Sequence, residues 1–292
     1  MSCEYKTLDL PLIYSGKVRD IYDFDKNYLI VTSDRISAFD HIIPTIIPDK
    51  GKVLHKLSMF WFDFVRDIIP NHVINGNFDD FPVILKRYKC LKDRSMIAKK
   101  ANKINIECIV RGYLAGSGWD EYKKNRTICG IILPDGLKKS SKLLYPIFTP
   151  SSKEGYGKHD ENISFNEAAK VVGKNVIKKL KEISLCLYKK VSEYSFSKGI
   201  IIADTKFEFG FFNKKLILID EIFTPDSSRF WEIDRYEEGK FQDSLDKQYV
   251  RDYLNNVKWD KFSSAPHLPD DIVKKTFKKY IDVYERLTGR SL

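Results

Sequence analysis

Ile202-Ala203-Asp204-Thr205-Lys206-Phe207-Glu208-Phe209-Gly210 sets a charged residue at every second position of an otherwise apolar stretch. In an extended chain successive side chains point to opposite faces, so Asp204, Lys206 and Glu208 share one side and Phe207 and Phe209 the other. The stretch reads as a strand with a buried face and a charged face. Just beyond it, Leu216-Ile217-Leu218-Ile219-Asp220-Glu221 is an apolar strand ending in two carboxylates, and a turn at Asn213-Lys214 folds it back beside the first. Carboxylates gathered by a hairpin repel unless a cation sits among them, and hard oxygen donors with few His or Cys nearby suit Mg²⁺. A two-residue turn pairs Glu221 with Lys206, whereas a three-residue turn pairs Asp220 with Glu208. Both registers stay open, so Glu208, Asp220 and Glu221 together are the candidate metal ligands. Alternating charge on a solvent-facing antiparallel sheet is the competing, functionless reading.

Working outward, strands are expected at Gly199–Asp204, Phe207–Phe212 and Leu216–Ile219, and a helix from Pro269 onward. Ser164 with Glu167 three residues later makes a capping box, opening one long amphipathic helix to about Tyr194. Towards the N-terminus, short strands at Tyr28–Ser33, Ile42–Ile47 and Met96–Lys100 surround one helix. Its stripe of Val53, Leu54, Leu57, Phe60, Trp61, Phe64, Val65 and Ile68 recurs at helical spacing and is core. A strand at Ile104–Arg111 follows. Leu133–Ile163, with three prolines and a Gly155-Tyr156-Gly157 cluster, reads as a long loop, and such loops are usually functional.

Three further segments carry chemistry. Tyr14-Ser15-Gly16-Lys17-Val18-Arg19-Asp20 is a glycine turn with two cations at alternate positions, fit to cover a nucleotide's phosphates, although one glycine falls short of a Walker loop. Ile106-Glu107-Cys108-Ile109-Val110-Arg111-Gly112-Tyr113-Leu114-Ala115-Gly116-Ser117 is a strand that breaks into small residues around one arginine; guanidinium, hydroxyl and free backbone amides suit a phosphate monoester. Thr224-Pro225-Asp226-Ser227-Ser228-Arg229-Phe230-Trp231 is a polar turn that offers a second phosphate-binding arginine.

Composition narrows the class. The chain has 292 residues, is 43% hydrophobic and carries 50 Lys+Arg against 40 Asp+Glu, a net charge of +10 that favours anionic partners without naming one. Basic residues interleave with acids rather than clustering with aromatics, which argues against a nucleic-acid binder. Cys3, Cys90, Cys108, Cys129 and Cys186 show no CxxC spacing, so neither a disulfide framework nor a zinc site is expected, and a reducing cytoplasm fits. No run is long and apolar enough to span a membrane, and no signal-peptide pattern opens the chain.

IECIVRGYLAGS and IADTKFEFG resemble the two signature segments of the SAICAR synthetase (phosphoribosylaminoimidazole-succinocarboxamide synthase) family, and SGKVRD, SDRISAFD (Ser33–Asp40), KEGYGKHDENIS (Lys153–Ser164) and DEIFTPDSSRFW (Asp220–Trp231) resemble its other blocks in the same order. One departure is Asn105, where the family usually has proline. The resemblance, running from about Tyr14 to Leu254, implies an α+β, two-lobed fold akin to ATP-grasp enzymes: a β-rich N-terminal lobe over residues 1–103 and an α+β C-terminal lobe over residues 104–292, with a nucleotide cleft between them. It implies an enzyme of purine biosynthesis that joins L-aspartate to carboxyaminoimidazole ribonucleotide using ATP and Mg²⁺; a kinase-like phosphotransferase using the same cleft is the alternative. On the same basis Gly16, Lys17 and Arg19 would hold ATP, and Lys206 would bridge its phosphates and the substrate carboxylate. Asp204 would position ribose or metal. Arg111, Ser117 and Arg229 would take the ribonucleotide phosphate, and Asp34, Ser37 and Asp40 would line the cleft. His159 and Asp160 would sit in a loop that closes over substrate. As one of the longer family members, the chain is expected to be a monomer.

Overall fold

In the computed structural model the described residues are 8–152 and 161–292. His159, Asp160 and most of the expected closing loop therefore lie outside them. Two antiparallel sheets organise the rest, in a mixed α+β arrangement of two lobes. The first has five strands in the order Leu12–Ser15, Arg19–Phe24, Asn27–Thr32, Ser95–Lys99, Val73–Asn75. The second is built on Ile200–Phe212, one unbroken strand where two were expected.

That strand changes partners along its length. Its first half pairs with Ser228–Glu232 on one side and Ile106–Tyr113 on the other; its second half pairs with Lys215–Ile219 and with Asn102–Lys103. Phe207 and Phe209 are fully buried, as the period-two reading requires. The hairpin closes through two residues, Phe212 opposing Lys215 and Glu208 opposing Ile219. Asn213 and Lys214 both adopt positive φ, 50° and 62°, the conformation of a two-residue turn whose twist matches its strands. Of the two registers left open, this is the one set by a two-residue turn, but Glu221 lies past the end of the ladder and contacts Arg19 and Thr224. The ladder stops at Ile219 because Asp220 turns left-handed, at φ 69°.

The N-terminal helix spans Lys50–Phe64. Its buried stripe of Val53, Leu54, Leu57 and Trp61 packs into the large core with Phe207, Phe209, Leu218 and Phe223, so this early helix is bound to the later sheet. Each fully buried Leu or Phe side chain there contributes about 1.5–3 kcal/mol. The long helix expected from Ser164 begins with the capping box, but it is two helices, Phe165–Val172 and Lys174–Ser197. Gly173 separates them at φ 88°, ψ 145°, a conformation that L side chains avoid; apolar spacing simply continues across the break. The Ile42–Ile47 strand shrinks to His41–Ile42. The expected loop at Leu133–Ile163 contains an eleven-residue strand, Lys142–Ser152. Pro146 falls where the ladder with Ile106–Tyr113 slips register, between Lys142 and Ile147, a position where a missing N–H costs little.

Candidate functional site

A cleft of about 820 Å³ lies against both sheets. Its apolar wall comes from the first sheet, through Ile21, Tyr28 and Ile30, and from Val18 in the turn before Arg19–Phe24; Asp204, Lys206 and Glu208 project from the opposite wall, with Asp220 and Glu221 beside them. Gly16, Lys17, Arg19, Ser37, Asp40 and Arg229 line it as well.

The charges of this floor come already paired. Lys206 Nζ donates to Glu107 Oε1 at 2.6 Å and lies 3.6 Å from Glu208 Oε1. Burial works to lower the Lys206 pKa, but Glu107, Glu208 and Asp220 outweigh it and raise it, so the ammonium stays charged. Glu208 is also held by Lys103. Arg19 Nη2 bridges Asp220 Oδ2 at 2.9 Å and Glu221 Oε1 at 3.2 Å. Burial raises the Asp220 pKa; Arg19 opposes this, while Glu208 and Glu221 add to it, so three carboxylates feel one another here. Cations keep them separate: among the described residues no three His, Cys, Asp or Glu side chains form a ready metal cluster.

A second charged group sits where Asp204 and Arg111 oppose each other across the ladder. Asp204 Oδ2 accepts from Arg111 Nη1 at 3.2 Å and from Arg229. Arg111 Nη2 donates to Ser117 Oγ at 3.0 Å and Nε to Thr149 Oγ1 at 3.0 Å. Gly116, at φ 54°, makes the approach possible: a Cβ there would meet Arg229 Nη2 at 2.3 Å. Arg111, Ser117 and Arg229 are thus brought together.

At the mouth, Ser37–Ala38 and His41–Ile42 form a tiny hairpin whose turn residues Phe39 and Asp40 have φ of 50° and 65°. Asp40 pairs with Lys17 of the glycine turn. Asp34 stands apart: it accepts from Gly51 N at 2.9 Å and Arg94 Nη1 at 2.9 Å, and it is absent from the cleft lining.

Several lining residues carry no signal of their own in the sequence. Lys103 and Glu107 are the direct partners of Glu208 and Lys206. His72, just before the strand Val73–Asn75, and Lys99, at the end of Ser95–Lys99, come from the first sheet and its edge. Lys247 and Arg251, beside Asp246, add cations near Arg229. Burial and Arg251 lower the Lys247 pKa to about 8. Arg251 Nε has no hydrogen-bond partner among the described residues. The signal that could have found Lys247 and Arg251 is their four-residue spacing, which sets them on one helix face.

A cleft with an apolar roof, a cation-bearing glycine turn and two separate charged groups suits a nucleotide together with other anions. A family model described as SAICAR synthetase matches residues 12–266. The chain belongs to the SAICAR synthetase family. It is 56% identical over 279 residues to the phosphoribosylaminoimidazole-succinocarboxamide synthase of Thermodesulfovibrio yellowstonii, covering 95% of each chain. Against the synthase of that name from Geobacter sulfurreducens it is 53% identical over 283 residues, covering 97% of this chain and 96% of that one. A SAICAR synthase from Saccharomyces cerevisiae, solved in complex with SAICAR, superposes with a TM-score of 0.88 at 46% identity, over 98% of this chain and 97% of that one. A SAICAR synthetase solved in complex with ADP superposes at 0.70 with 26% identity, over 96% and 98%. The activity is that of the SAICAR synthetases, the ligase step of purine biosynthesis, rather than a kinase's transfer to an unrelated acceptor.

Proposed function

We propose that this cleft binds ATP, carboxyaminoimidazole ribonucleotide and L-aspartate together, and that residues 1–103 and 104–292 are the two lobes holding them. The observation that carries the reading is the common outlook of Asp204, Lys206 and Glu208 onto the space that Lys17 and Arg19 also face. A carboxylate is a poor acyl donor, since oxide would have to leave. Its oxygen therefore attacks the γ-phosphorus, ADP departs, and the acyl phosphate is attacked by the amine of aspartate, which loses a proton as phosphate leaves. The protein's task is alignment and charge neutralisation.

In this proposal Gly16, Lys17 and Arg19 cover the ATP phosphates beneath the apolar roof. Lys206, kept charged by its acidic neighbours, lies between the γ-phosphate and the carboxylate being activated. Arg111, Ser117 and Arg229 take the ribonucleotide phosphate, with Asp204 holding both arginines in place and reaching the ribose. Ser37 and Asp40 close the mouth, and His159 and Asp160 contact the ribonucleotide. Asp34 orients the start of the Lys50–Phe64 helix from outside the cleft. Mg²⁺ fits the donors present: Glu208, Asp220 and Glu221 are hard oxygen ligands, and burial first, then the other two carboxylates, raise the Asp220 pKa against the pull of Arg19. When bound, the ion would neutralise charge on the phosphates.

Cys90, Cys108, Cys129 and Cys186 are free, and among the described residues no helix is long and apolar enough to cross a membrane. A cytoplasmic location is part of the proposal, as is a monomer; light scattering at twice 34.1 kDa would reject the latter. The decisive assay follows ADP formation with the carboxylated ribonucleotide, with and without aspartate. Sustained turnover should require aspartate. Equal rates without it would reject the three-substrate reading.

A further inference from the structure

Lys50, Asp226 and Tyr280 form a buried charge cluster that the chemistry above leaves unused. Lys50 opens its helix with no exposed surface, and its Nζ donates to Asp226 Oδ2 at 2.6 Å. Tyr280 Oη, from the helix Asp270–Thr288, donates to the other oxygen, Oδ1, at 2.7 Å. Both carboxylate oxygens are therefore engaged. Asp226 lines the cleft but has no oxygen free of these partners to serve as a base there.

The helix Lys50–Phe64 grips the segment around Asp226 a second time. Trp61 Nε1 donates to the carbonyl of Phe223 at 3.1 Å. The loop is braced around these points: Thr224 Oγ1 donates to Glu221 Oε2 at 2.7 Å, and the Ser228 hydroxyl meets that of Thr205, on the strand Ile200–Phe212, at 2.7 Å. Glu221 and Arg229 flank the braced segment on either side. Burying an ammonium and a carboxylate is expensive, and well-packed apolar residues of similar volume commonly give equal stability. What the ion pair supplies is one fixed position, because a charge in a dry interior has few acceptable places.

We propose that Lys50 and Tyr280 are positioning residues that set, through Asp226, where Arg229 stands, and so locate the ribonucleotide-phosphate subsite relative to the ATP side of the cleft. This rests on Arg229 being a phosphate ligand, as assigned above. Tyr280→Phe removes one hydrogen bond and leaves the ring. The double variant Lys50→Met/Asp226→Asn removes both buried charges, so no unpaired ion remains and much of the stability lost in Lys50→Met alone should return.

Steady-state kinetics and thermal midpoints are measured for these variants and for Arg229→Ala. The expected result is a KM for the ribonucleotide raised about tenfold in Tyr280→Phe and in the double variant, with KM for ATP within about twofold of wild type. A merely structural role would lower the active fraction and leave both KM values alone. If Arg229→Ala raises the ribonucleotide KM but the other two variants match wild type, positioning is overturned while the phosphate assignment stands. If Arg229→Ala itself leaves that KM unchanged, the assignment falls and the inference with it.

Discussion

Lys17 with Asp40 and Lys50 with Asp226 are both lysine–aspartate pairs, yet the side chains of the first are 48% and 47% exposed and those of the second 0% and 5%. The first spans the mouth of the cleft, between a glycine turn and a two-strand hairpin. Water competes with it throughout, so exchanging Asp40 for a phosphate costs little. The second has no solvent to retreat to, and breaking it strands a charge. The molecule thus has an exchangeable pair at the mouth of the cleft and a fixed pair in its interior.

The comparison is broken most directly at its buried member. Lys50→Ala is expected to lower the free energy of unfolding by about 3–5 kcal/mol, through the unpaired Asp226 carboxylate and the cavity; a urea midpoint near wild type would remove the distinction. Next come the pre-paired charges of the floor. Lys206→Ala and Glu208→Ala should each cost about a hundredfold or more in turnover while far-ultraviolet circular dichroism stays that of the folded chain. Near-normal turnover in either would detach that strand face from the reaction.

Arg111→Ala tests the second charged group. Loss of a charge-assisted contact worth about 1.5–3 kcal/mol should weaken ribonucleotide binding about ten- to a hundredfold with little change for ATP. Calorimetry showing equal losses for both ligands would contradict this.

The buried histidines extend the contrast to pH. Burial first, then Arg19 and Lys99, lower the His72 pKa from 6.5 to about 3, and burial lowers that of His55 to about 4. Protonation then favours the unfolded chain. The stability these groups confer is present above pH 6.5 and is lost as pH falls towards about 3 or 4, by about 1.4 kcal/mol per pH unit per histidine. Denaturation midpoints at pH 7 and pH 5 should diverge less in His72→Gln than in wild type; an unchanged slope would absolve His72. The smallest effect belongs to Lys17→Ala: below about 1 kcal/mol in stability, with a several-fold, salt-sensitive rise in KM for ATP. A salt-independent loss would mean that Lys17 is not acting as an exposed charge.

The legible parts of the site were those written locally. Asp204, Lys206 and Glu208 declare their common face by spacing alone, and Asn213-Lys214 marks the turn, though the choice between two registers waited on the backbone, where both turn residues take positive φ. Gly173 hid because apolar spacing runs unbroken across it, and the strand at Lys142–Ser152 hid behind prolines that read as loop. Lys50 and Tyr280 gave no sign, since a buried ion pair looks like any surface lysine until its partner, 176 residues away, is in place. Glu107 and Lys103 were silent for the same reason.

That separation also fixes the order in which the molecule can mature on the ribosome. The first sheet closes its own ladder within residues 12–99, but the helix Lys50–Phe64, already synthesised, finds Phe223 and Asp226 only after much later segments emerge, and Asp226 its second donor only with Tyr280. Until then Lys50 stays hydrated and the loop bearing Asp226 lacks its anchor. A nascent chain halted before the helix Asp270–Thr288 can hold a finished roof over an unfinished floor, so the cleft is completed only after that helix has emerged.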